Sequence, residues 1–283
     1  GQEIIHFFTS YGKGGFYGIL LSGALFAFSG YIILEKVYLE RVRNFEELIF
    51  PITGLLLGRI MQLISTIFLL SVYCVMIAGM GSILSGLFHL PLEYGIIIIS
   101  IISMIIMFVG VEGIAALSAV LAPVLVVGII GVGFFIIISR DKEVFSIIRG
   151  VEIITNNWVF SSLLYVSYNN ILAASALSSL LPYLKTRRTA IAGGILGGLL
   201  LCFTALVLNL AISTFFTDTL IGEFPVIDII ERYSSFIMNA YNIVMASAML
   251  TSAVTSGYGA ICRISTRLNL NIKTTTVVIC ALS

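Results

Sequence analysis

The sequence predicts an all-α integral membrane protein, and three observations carry that prediction. Hydrophobic residues make up 59% of the 283 positions and charged residues only 10%, with a mean hydropathy of +1.12. A soluble domain carries about 25% charged residues, so a chain this apolar has lipid as its solvent. Charge-free runs recur at 14–34, 60–88, 94–111, 113–139, 153–184, 189–217 and 233–262. A spanning helix needs about 20 such residues, so these runs predict seven spans. Stretches such as "GIIIISIISMIIMFVG" are continuously apolar. Strands of a membrane barrel would instead alternate with period two, and a helix satisfies every backbone group within itself. The net charge of +1 excludes a strongly basic nucleic-acid binder.

The chain opens on "GQEIIHFFTSYGKGG". Ile4 to Phe8 is too short to cross a bilayer, so 1–9 reads as a half-span whose polar start lies near mid-membrane. Glu3 is then an intramembrane carboxylate, a functional candidate by default; the alternative is a first-turn acid in water. Full spans follow at 14–35, 51–88, 93–111 and 113–139, with Pro123 expected to kink the last. The 141–156 segment mixes charged and apolar residues at helical spacing and reads as an outer interfacial helix, with Trp158 as anchor. The next charge-free runs are 153–184, 189–217 and 233–262, and another span begins at 274. Both ends read as cut within a longer protein.

Orientation follows from Lys and Arg in short loops. With the loop after residue 9 outside, the inner connections hold Lys36, Arg41, Arg43, Lys185, Arg187, Arg188, Arg263, Arg267 and Lys273. The outer ones hold Lys13, Arg140, Lys142, Arg149 and Arg232. Nine against five favours this orientation. The acidic 216–233 segment (Asp218, Glu223, Asp228, Glu231) reads as a solvated connection or as a cation-attracting vestibule.

Polar residues within the spans point to function. The 153–184 run carries "YVSYNN" at its centre: Tyr165, Ser167, Tyr168, Asn169 and Asn170. Asn forms helices poorly because its side chain competes for backbone hydrogen bonds. Two in a row mark either an unwound segment lining a cavity or hydrogen bonding between intact helices. The 233–262 run holds Asn239, Asn242, Ser247, Thr251, Ser252, Thr255 and Ser256. Thr251 and Thr255, and Ser252 and Ser256, are four apart and share a helix face. Such hydroxyls complete an oxygen shell for a small cation, or serve small-residue packing. Tyr73 sits near the middle of the 51–88 helix, facing a cavity on the functional reading. The four cysteines lie in apolar runs without metal-ligand spacing. The sequence carries no phosphate loop or nucleophile–base pair, so no enzyme and no resident cofactor are expected.

The half-helix "GQEIIHFF", the loop "YGKGG", the next span and "LLYVSYN" together resemble the YkvI-like bacterial membrane proteins. That family is placed with the amino acid–polyamine–organocation (APC) transporters and the LeuT fold. The likeness covers most of the chain in element order, while only these short stretches carry specific identity. It implies a LeuT-like inverted-repeat fold of 5+5 helices, here lacking the first half of helix 1 and most of helices 9–10. The first repeat is 1–139, an outer connection 140–156, and the second repeat 157–283. The likeness lays helix six over 157–184, seven over 189–216 and eight over about 226–262, with nine starting near 273. Helices one and six would be broken at mid-membrane and bind substrate, with three and eight completing the site. The implied solute site is Gly1, Gln2, Glu3, Tyr73, Tyr165, Ser167, Tyr168, Asn169 and Asn170. The implied ion site is Thr251, Ser252 and Thr255, taking sodium; Glu3 keeps protons as an alternative coupling ion. The expected function is secondary active transport of a small, amino-acid-like solute across the bacterial cytoplasmic membrane. A ligand-sensing receptor subunit of the same fold, as in spore germination complexes, is the alternative. No sequence feature specifies an oligomeric state.

Overall fold

The structure, a computed structural model, describes residues 2–138, 155–215, 226–227, 230 and 235–282. The expected interfacial helix over 141–156 lies outside these but for Thr155 and Asn156, as do all four acids of the 216–233 segment. Every element among the described residues is helical. In chain order these are α1 (Gln2–Phe7), a 3-10 turn (Thr9–Tyr11), α2 (Lys13–Glu40), α3 (Phe45–Phe88), α4 (Leu92–Val109) and α5 (Val111–Ile138). Then come α6 (Trp158–Leu177), a second 3-10 turn (Leu181–Tyr183), α7 (Arg187–Phe215), α8 (Ser235–Leu268) and α9 (Ile272–Leu282). Six of them, α2, α3, α4, α5, α7 and α8, are long and apolar enough to cross a membrane. The protein is a membrane protein with several transmembrane helices. α6 has the length, but its serines, tyrosines and asparagines keep it out of that set.

Two expectations are corrected. The break expected at Ser167–Asn170 is not there: α6 runs as unbroken helix from Trp158 to Leu177. Its polar side chains are satisfied where they stand. Ser167 Oγ donates to Leu163 O at 2.6 Å and Asn169 Nδ2 to Tyr165 O at 2.9 Å, each one turn back. A side chain that bonds its own helix need not unwind it. The helix ends instead at Ser178–Leu180, and the expected 157–184 helix stops seven residues early. The second correction concerns α3, which starts at Phe45 rather than 51 and is bent at Gly54 (φ 73°, ψ 177°). A straight helix of its 44 residues would be about 66 Å long, twice the hydrocarbon thickness. α5, by contrast, continues as helix through Pro123.

The chain forms two compact units of interleaved elements. The first is Gly1–Arg43 with Val126–Tyr241, and the second is Asn44–Leu125 with Asn242–Ser283. The first thus holds α1, α2, α6, α7 and the end of α5; the second holds α3, α4, α9, the start of α5 and most of α8.

In the first unit α2 and α7 run antiparallel with their backbones in close contact. A Cβ on Gly30 would meet Gly194 O at 2.8 Å, one on Gly198 would overlap the Ala27 backbone, and one on Gly23 would overlap Cys202. Small residues at such spacing let transmembrane helices touch, which replaces the hydrophobic drive that lipid removes. At the end of this seam Arg187 Nε donates to Glu35 Oε1 at 2.8 Å. The sequence count places both residues on the inner side.

In the second unit α3 and α8 run antiparallel: Gly257 lies against Tyr73, Gly259 against Leu69, and Gly79 against Met249. α4 packs on α3 where Gly95 approaches the Gly81 carbonyl and Gly81 meets Ile96. The centre is Tyr73, 0% exposed, with its hydroxyl 3.0 Å from Ser103 Oγ and donating to Cys280 Sγ at 3.2 Å.

Candidate functional site

The candidate site in the first unit grows out of the end of α1. The last turn of a helix leaves carbonyls without amide partners. Here Thr9 Oγ1 donates to Ile4 O at 3.1 Å and Ser10 Oγ to Ile5 O at 2.6 Å, which ends α1 at Phe7. Ser161 Oγ of α6 donates to Phe7 O at 2.8 Å. Tyr11 OH donates to Thr155 O at 2.6 Å, so the start of α2 and the start of α6 lie together. Gly12 (φ 55°) turns the chain into α2, and Gly15 then passes so close to Phe8 O that a Cβ would overlap it. The glycines of "YGKGG" are therefore a close-approach device, where only a hydrogen fits.

This geometry stacks α1 on α6. Phe7 lies 5.3 Å from Tyr165 and 5.6 Å from Tyr168, centroid to centroid. Phe8 meets Tyr165 edge-on at 4.9 Å, and Phe26 of α2 does so at 5.9 Å. Tyr165 and Tyr168 are themselves 5.7 Å apart at 88°. Edge-to-face pairs of this kind contribute about 0.5–1.5 kcal/mol each beyond area burial. The exposed Glu3 carboxylate lies within electrostatic reach of both tyrosine hydroxyls.

The site residues expected from the sequence thus divide. Glu3, Tyr165 and Tyr168 are brought to one place, with Gln2 beside Glu3 in the first turn of α1; Gly1 lies outside the described residues. Ser167 and Asn169 are spent on their own helix. Asn170 Oδ1 accepts from Ser29 Oγ at 3.0 Å, so it joins α6 to α2. Tyr73 belongs to the other unit, where its hydroxyl is engaged by Ser103 and Cys280.

The expected ion-site residues also lie in the second unit, on α8. Thr251 Oγ1 donates to Ser247 O at 3.1 Å and Ala248 O at 2.9 Å, and Ser256 Oγ to Ser252 O at 2.6 Å. Ser252 and Thr255 make no side-chain hydrogen bond among the described residues, and both retain solvent-accessible surface. Their hydroxyls, three positions apart on one helix, remain available as oxygen ligands. Among the described residues no group of three or more His, Cys, Asp or Glu is placed to hold a metal ion.

Sequence reasoning passed over Asn209. It lies on α7, seven residues beyond Cys202 and so on the face that meets α2. It is 0% exposed, and neither carboxamide atom has a partner among the described residues. The sequence signal was available, an Asn inside the charge-free 189–217 run.

No known protein-family profile matches the chain. It is similar to the uncharacterized membrane protein YkvI of Bacillus subtilis (strain 168), with 25% identity over 272 residues, covering 92% of this chain and 74% of that protein.

Proposed function

We propose that the protein is a secondary active transporter of a small, amino-acid-like solute, working by alternating access in a bacterial cytoplasmic membrane. The observation that carries the reading is the packing of α1 on α6, where Phe7 stacks on Tyr165 and Tyr168 and Glu3 lies one turn before Phe7 on α1. An exposed carboxylate beside amphipathic aromatic rings suits the ammonium end of such a solute.

The grouping of elements supports a LeuT-like, five-helix repeat. α1 and α2 share a unit with α6 and α7, and α3 and α4 share the other with most of α8 and with α9. α1 to α4 are each grouped with the element five places later, as two repeats of five helices would give, while α5 is divided between the units. Ser252 and Thr255 supply hydroxyl oxygens for a coupling sodium ion, and Glu3 is the group that would carry a proton instead.

Uptake of labelled amino acids into proteoliposomes, with and without a sodium gradient, tests the reading. Glu3→Gln is expected to lower saturable uptake at least tenfold while the purified protein keeps its elution volume. Saturable binding without flux would replace transport by the receptor-subunit reading. Uptake indifferent to Glu3→Gln would remove the α1–α6 contact as the solute site.

A further inference from the structure

At the start of α3, residues Asn44–Thr53 form a short helix of their own, set off by the bend at Gly54. Asn44 caps it: Glu47 N donates to Asn44 Oδ1 at 2.9 Å, and Asn44 Nδ2 donates to Glu47 Oε1 at 2.9 Å. The cap makes the arm helical in its own right, independent of the helix that follows. Three contacts fold it onto the second unit. Phe50 lies against Gly58, one turn past the bend, where a Cβ would collide with its ring. Gln62 Nε2 of the α3 body donates to Glu46 Oε1 of the arm. Arg263 of α8 has its guanidinium 4.1 Å above the Phe45 ring while its Nη1 donates to Ser65 Oγ of α3. Phe45 and Leu48 are buried as a result.

What holds the arm is separable from what holds the unit. α3, α4, α8 and α9 are joined around Tyr73, Ile77, Met107 and Val254, none of which belongs to the arm. The bend itself is unsupported: a Cβ at Gly54 would have nothing within 4 Å. Its φ of 73° with ψ of 177° is a conformation that only glycine adopts without strain. Beside the buried Phe45 and Leu48, the polar fastenings of the arm are few: the Arg263 guanidinium over Phe45 and the Gln62–Glu46 hydrogen bond.

We infer that Asn44–Thr53 is a hinged latch over the inner ends of α3 and α8, pinned by Arg263 and Glu46 and released by rotation about Gly54. The sequence count places this end of both helices on the cytoplasmic side. The inference does not depend on what the protein carries.

Hydrogen exchange on the full chain in lipid nanodiscs tests it. Arg263→Ala removes the pin, so exchange of the arm amides 46–53 should rise at least tenfold. Exchange over 66–77 of α3 and 250–261 of α8 should change less than twofold. Gly54→Ala meets no steric obstacle, so it acts only through φ: alanine favours the helical conformation, straightens the bend and lifts the arm off. It should reproduce the same local signature from the other end of the arm, which keeps the test open if the arginine variant fails to fold. A rise shared equally by α3 and α8 makes the arm part of one cooperative unit and overturns the inference. So does an arm whose exchange is unmoved by Gly54→Ala.

Discussion

The α2–α7 seam of the first unit and the Tyr73 centre of the second are built in opposite ways. The α2–α7 seam brings backbone against backbone through Gly30, Gly194 and Gly198, and Gly23 against the small Cys202 side chain. The centre of the other unit is one large side chain, Tyr73, whose hydroxyl reaches Ser103 and Cys280 on two neighbouring helices. Lipid tails are as apolar as leucine, so burial alone drives neither arrangement. The seam relies on dispersion at the shortest distance two helices allow, and the Tyr73 centre on hydrogen bonds with no water to compete. The first fails when an atom is added, and the second when one is taken away.

The largest expected effect tests the seam. Gly198→Val would drive a branched side chain into the Ala27 backbone and should cost about 3 kcal/mol or more. The folded species should be lost on size exclusion in detergent. Its neighbour Gly197 faces open space, so Gly197→Val should be tolerated there, as replacing a helix glycine is mildly favourable. Equal damage at both positions would mean that the seam is not the close contact described.

Next comes the tyrosine centre. Tyr73→Phe keeps the ring and deletes the hydroxyl, which should cost about 1 kcal/mol in thermal or denaturant unfolding, in line with interhelical hydrogen bonds elsewhere in membranes. Loss of folding on the scale of Gly198→Val would show that the two units do not differ in this way.

A smaller effect is expected at Asn209. Leucine there removes two buried polar atoms that lack partners, so Asn209→Leu should leave stability unchanged or raise it. A loss of more than about 2 kcal/mol would show that the carboxamide is paired in the folded protein. The smallest is the end of the seam. Arg187 is 60% exposed against 14% for Glu35, so Glu35→Gln should cost under about 1 kcal/mol and be masked by added salt.

Hydropathy made most of the membrane architecture legible, because the length of a charge-free run and the thickness of a bilayer are both local quantities. The pairing of chain ends agrees as well. The positive-inside count put Lys185–Arg188 on the side of Glu35, and Arg187 meets Glu35 there.

The functional residues were legible only as a set. "YVSYNN" announced polarity inside a span, but not what each side chain would do with it. Asn169 turns back to Tyr165 O, and Asn170 crosses to Ser29, which lies 141 residues earlier. Neither choice is visible without the neighbouring helix. The i, i+4 spacing on α8 likewise named a face but not which hydroxyls remain available. Thr251 and Ser256 bond their own helix, while Ser252 and Thr255 do not, and that depends on rotamers set by packing.

By itself, then, the sequence determined that this is a helical membrane protein, roughly where its spans lie and which of them carry polarity. Run length, charge and glycine placement act within a turn or two of chain, and they dictate those features directly. Only the tertiary structure decided that α6 stays helical, that α3 bends at Gly54 and that Glu3 rests beside Tyr165 and Tyr168. The folding-back of the α3 arm and the meeting of α1 with α6 rest on partners more than a turn away in the chain, Glu46 for Gln62 and Phe7 for the two tyrosines, while α6 stays helical with Ser167 and Asn169 bonded one turn back and Asn170 tied to Ser29. A polar group inside a membrane must find a partner, and which one it finds is a property of the packed helices.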